Sequence, residues 1–78
     1  MREKQLRFIV TFPTTTGAME MERLCRQEEI PGRLIPVPRT ITAGCGMCWS
    51  APPEERERIE NWIMERRLTV DGLYDIWM

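Results

Sequence analysis

Residues 5–12, Gln-Leu-Arg-Phe-Ile-Val-Thr-Phe, place Leu6, Phe8, Val10 and Phe12 at every second position. A period of two sends those four side chains to one side of an extended chain, so the segment reads as a strand with a buried face. Pro13-Thr14-Thr15-Thr16-Gly17 interrupts it, and Ala18, Met21, Leu24 and Cys25 then recur at helical spacing. Thr16 or a neighbouring threonine is expected to supply the N-cap oxygen, with Glu20 and Glu22 near the positive end of the dipole. The helix is expected to run to about Glu29, ahead of Pro31-Gly32. A strand that passes directly into a helix must find its pairing partners later in a chain of only 78 residues.

Those partners are legible. Arg33–Val37 reads as a second strand, on an edge because Pro36 has no N–H to donate. Pro38–Gly44 reads as a loop and Gly46–Ser50 as a short third strand. Pro52-Pro53-Glu54-Glu55 opens a second helix, with Ile59, Trp62 and Ile63 inward, Arg56, Glu57, Arg58 and Glu60 outward, and an end near Arg67. Val70–Trp77, kinked at Asp71-Gly72, is the last strand. The order β-α-β-β-α-β predicts an α+β fold, the ferredoxin-like plait: a four-stranded antiparallel sheet with two helices on one face and the first and third strands central. Residues 1–78 are expected to form a single domain without internal repeats. Trp49, Trp62 and Met21 are expected in its core, while Trp77 and Met78 are placed to cover an edge or meet a second subunit. A domain this small buries only about 60% of its unfolded surface, so a homodimer contact would widen its stability margin.

Composition narrows the chemistry. The chain has no histidine, so the commonest general base and the commonest metal ligand are both missing. A net charge of -1 argues against a nucleic-acid binder. No apolar run approaches membrane-spanning length, and the charged start, Met1-Arg2-Glu3-Lys4-Gln5, does not resemble a signal peptide, so the expected location is cytoplasmic, without a membrane partner. Three cysteines, an odd count, point to thiol chemistry or burial more than to a disulfide framework.

The plait brings the loop after the first strand and the loop between the second and third strands to one end of the sheet. Cys45, in the second loop, is therefore expected near the N–H groups and positive dipole at the start of the first helix, around Thr14–Gly17, where a thiolate is favoured. From Ile30 to Pro53 there is no Asp or Glu, while Arg33 and Arg39 are present. Gly44 and Gly46 flank the sulfur and leave it approachable. Cys25, on an apolar helical stripe, reads as core. Cys48 reads equally as core or as a second thiol, and the two arginines equally as solvated charges or as site residues.

The pair Cys45-Gly46-Met47-Cys48 has three readings. A zinc site wants four nitrogen or sulfur ligands, and would need the same pair from a second chain. A disulfide is disfavoured if the segment is extended, because three residues then separate the Cα atoms by about 10 Å against a limit of roughly 7 Å. Only a turn at Gly46-Met47 would permit it. The third reading uses Cys45 alone as a nucleophile, with no metal or cofactor.

Ile30-Pro31 followed by Pro36-Val37-Pro38-Arg39-Thr40-Ile41-Thr42-Ala43-Gly44-Cys45-Gly46 resembles the selenium/sulfur carrier protein-like family of small bacterial proteins, with its P-x-P-R-x-I-[ST]-x-x-C-G pattern. The helix from Pro52 to Arg67 and Gly72-Leu73-Tyr74 also fit. The resemblance departs at Cys48, where an apolar residue is common, and at Ala43-Gly44, where small polar residues are usual. It implies a carrier more than a true enzyme, one that holds a persulfide or selenosulfide on Cys45. The donor would be of the cysteine desulfurase kind and the acceptor an unidentified protein. Arg39, Arg33 and Thr16 would assist binding and Cys48 would resolve the loaded form. The competing expectations are a thiol-disulfide or metal-binding module built on Cys45 and Cys48, and a non-catalytic ferredoxin-like interaction subunit.

Overall fold

In the computed structural model, which describes residues 4–39, 41 and 46–77, the alternating segment forms strand β1, Leu6–Thr11. Helix α1 follows as Thr15–Gln27. Its cap is Thr14, not Thr16: Thr14 is extended (φ -140°, ψ 157°) and its side-chain oxygen accepts the Gly17 N–H at 3.3 Å. Thr16 lies one position inside the helix. No acidic residue occupies the first turn. Glu20 and Glu22 instead pair with Arg23 and Arg26, one turn on. The helix closes before Pro31, because Glu28 donates to the Leu24 carbonyl at 3.1 Å and Glu29 turns left-handed at φ 56°.

Strand β2 is Arg33–Pro36, β3 is Met47–Ala51, and a single 3₁₀ turn at Pro53–Glu55 leads into α2, Arg56–Arg66. Strand β4 is Gly72–Trp77. The sheet runs in the order β2-β3-β1-β4 and is antiparallel throughout, the ferredoxin-like arrangement. Thus β2, with Pro36, is an edge, and β4 is the other.

Register decides which side chains face which layer. Val10 pairs with Trp49 and Phe8 with Ala51, so these four point toward the helices. There they meet Ala18, Met21 and Cys25 of α1 and Ile59, Trp62 and Ile63 of α2. Gly32 lies against this layer: a Cβ there would sit 2.5 Å from the Trp49 indole nitrogen, and its φ of +143° already favours glycine. The opposite face carries Ile9 and Cys48, both fully buried although, among the described residues, no helix lies over them.

Candidate functional site

What covers Ile9 and Cys48 is the loop between β2 and β3. Ile41 is 8% exposed and packs with both of them, with Ile35, Val37, Tyr74 and Ile76 around the margin. Two backbone bonds shape the described part of this loop. The Val37 N–H donates to the Gly46 carbonyl at 3.0 Å, one step beyond the end of β2, and the Ile41 N–H donates back to the Pro38 carbonyl at 3.0 Å. A tight turn therefore drops Ile41 onto the sheet. Gly46 takes φ +77°, a left-handed conformation open to glycine, and nothing stands within 4 Å of where a Cβ would be.

Cys45 and Gly44 lie outside the described residues, as do positions 40, 42 and 43. Their neighbours are placed. Thr11 pairs with Cys48 and Pro36 with Met47, so the loop leaves the sheet at the end where β1 runs through Phe12 into α1. Arg39 is exposed at the loop turn. Arg33 is exposed too, but pairs with Ser50, about 10 Å along the strand from the loop base at three residues' rise. The fold thus keeps Arg39 with the loop and sets Arg33 apart from its base. Neither arginine is in an ion pair with another described residue, unlike Arg23, Arg26, Arg56, Arg58 and Arg66.

The two described cysteines are core residues. Cys48 is 0% exposed, and its thiol points toward the Pro36 carbonyl at 4.0 Å. A resolving role for it would require Ile41 to lift off the sheet. Cys25 is likewise 0% exposed. Burial pushes its thiol up to about 12, the nearby Glu28 carboxylate adds to the rise, and Arg58 opposes it. At neutral pH Cys25 is a protonated packing residue. Among the described residues no three Cys, Asp or Glu side chains gather as a metal ion would need, and no helix is long and apolar enough to cross a membrane.

Thr16, exposed on the first turn of α1, lines a groove of about 420 Å³ with Phe12, Thr14, Gly17, Arg67 and Thr69. The groove lies between the start of α1 and the segment after α2, where Arg67 adopts a left-handed cap at φ 53°. Sequence reasoning missed this groove and missed Ile41. The available signal for Ile41 was an isolated large apolar residue in an otherwise small and polar loop, Pro38-Arg39-Thr40-Ile41-Thr42-Ala43-Gly44.

The sequence matches a family described as Putative Se/S carrier protein-like over residues 7–75, from β1 to β4. The chain belongs to that family. No curated protein and no solved structure matches it. For this Se/S carrier-like protein the matched span takes in the whole Pro36–Gly46 segment, its Ile41 anchor and both faces of the sheet. The family description suggests a donor or an acceptor among its partners.

Proposed function

We propose that the protein is a carrier that takes a sulfur or selenium atom from a donor and delivers it to an acceptor, with Cys45 holding the atom in transit. The observation that carries this reading is family membership across residues 7–75, which embraces the Cys45-Gly46 segment. Further support comes from the loop surroundings: the exposed Arg39 lacks an acidic partner among the described residues, and no Asp or Glu occurs between Ile30 and Pro53. Positive charge without a carboxylate competitor favours a thiolate.

The chemistry balances without cofactor or metal. The Cys45 thiolate attacks the outer sulfur of a donor persulfide, such as that of a cysteine desulfurase. A new S–S bond forms at Cys45, the donor's S–S bond breaks, and the donor leaves as a thiolate. An acceptor nucleophile then attacks the same outer atom, and Cys45 departs as the thiolate. With a selenosulfide the outer atom is selenium and the steps are the same. Arg39 stabilises the thiolate and steers the partner, Gly44 and Gly46 leave the sulfur open to in-line attack, and Arg33 and Thr16 belong to the docking surface. Such exchange suits a reducing compartment such as the cytoplasm. Cys48 is buried under Ile41, so the reading rests on one thiol.

The test is intact-mass and peptide mass spectrometry after incubation with a cysteine desulfurase and cysteine. The expected result is one added sulfur atom on Cys45, removed by a reductant and absent from Cys45→Ser. An unmodified wild-type protein, or an adduct that survives Cys45→Ser, overturns the reading.

A further inference from the structure

The two edges of the sheet differ in how they meet solvent. Edge strands offer unpaired backbone groups, and proteins protect them with proline, charge or short length. Strand β2 has four residues, ends in Pro36 and begins with exposed Arg33. Strand β4 has six residues, Gly-Leu-Tyr-Asp-Ile-Trp, with no proline, lysine or arginine. On its helix-side face Leu73 is 37% and Trp77 65% exposed, each opposite a β1 residue but lacking a cover from the outer side. Between them Asp75 is paired with Arg56 from the first turn of α2.

We propose that β4 is a homodimer interface, in which the strands of two copies pair antiparallel about a two-fold axis through Asp75. The strand's own pattern selects both occupant and register. Residues directly opposite in an antiparallel pair share a face, so only registers that preserve the alternation are allowed. Centred on Asp75, Leu73 falls opposite Trp77 of the second copy and Tyr74 opposite its Ile76. Each apolar side chain then meets an apolar partner on both faces. Centred on Tyr74, Leu73 falls opposite Asp75 and Trp77 opposite Asp71. Centred on Ile76, Trp77 falls opposite Asp75. The Asp75 register alone covers both exposed apolar residues with each other. Its cost is two carboxylates at the axis, and each enters already held by an Arg56 guanidinium of its own copy. A closed two-fold contact of this kind joins two four-stranded sheets into one of eight and leaves only the proline-bearing β2 edges outside. This proposal is independent of the transfer chemistry proposed for Cys45.

Sedimentation velocity and cross-linking test it together. Wild type is expected to sediment as a dimer, and Leu73→Lys with Trp77→Lys as a monomer with an unchanged circular-dichroism spectrum. In a Cys45→Ser background, Asp75→Cys is expected to give a covalent dimer under mild oxidation. Asp71→Cys, whose copies lie about 27 Å apart in this register by strand rise, is expected to give none. A wild type that stays monomeric at high micromolar concentration overturns the proposal. So does a dimer that survives the double lysine variant, or equal cross-linking at the two cysteine positions.

Discussion

The two faces of the sheet are sealed by different means. On one side Met21, Cys25, Ile59, Trp62 and Ile63 arrive from two helices and close over Phe8, Val10 and Trp49. On the other side Ile9 and Cys48 are just as buried, but among the described residues the cover from outside the helices and strands comes from the loop, with Ile41 buried on them and Val37 at the margin. One face is built from secondary structure, whose stability is spread over many contacts. The other depends on a loop, and that loop is the one that leads into Cys45-Gly46. Burying Ile41 ties this loop to the sheet at residue 41 without a helix to hold it.

Truncating one isoleucine on each side separates the two roles. Ile59→Ala, at a site with 0% exposure, should cost about 3–4 kcal/mol. A domain of this length holds roughly 4–12 kcal/mol in total, so that variant should be largely unfolded by urea titration or close to it. Gly32→Ala comes next. The added methyl meets the rigid Trp49 ring at 2.5 Å in a backbone conformation that disfavours side chains, and about 2–3 kcal/mol should be lost. Ile41→Ala should cost about 2 kcal/mol, since its cluster is smaller. Its distinguishing effect is on reactivity: alkylation of Cys48 in the native state should accelerate as its cover is removed, and Ile41→Val should restore protection. An Ile41→Ala protein with Cys48 still protected would show that the loop does not seal that face.

The smallest effect concerns pH. A thiol whose folded value is raised to about 12 from 9.0 keeps its proton in the native state while the unfolded chain releases it. Stability is unaffected below the unfolded value and falls as pH rises through the window from 9.0 toward 12. Near pH 10 the loss due to Cys25 should be about 1 kcal/mol. Cys25→Ala should therefore show a shallower alkaline decline than wild type, measured as the slope of unfolding free energy against pH.

The helix-built side was the readable side. Leu6, Phe8, Val10 and Phe12 alternate, and Ile59, Trp62 and Ile63 recur at helical spacing, so the layer they form follows from period alone. Pro36 marked its strand as an edge for want of an N–H. Thr14 could not be told from Thr15 or Thr16, because all three carry a suitable oxygen and the choice is made by the backbone angles at which the strand ends. The loop-built side was opaque for a different reason. Met47-Cys48-Trp49-Ser50-Ala51 is buried on both faces over most of its length, so no polar alternation reveals which way Cys48 points. Loops have no period, and the burial of Ile41 is set by the turn at Pro38, which the residue string does not display. The pairing of Thr11 with Cys48 brings the loop base to the α1 end of the sheet, as the plait topology implies.

Differential thiol labelling of the native protein at neutral pH tests the central claim most directly. The three cysteines are resolved by peptide mass spectrometry, with and without denaturant. The account predicts that Cys45 is modified rapidly in the folded state, while Cys25 and Cys48 react only after unfolding. A native protein in which Cys45 is protected as well as the other two, or in which Cys48 reacts as fast as Cys45, would contradict it.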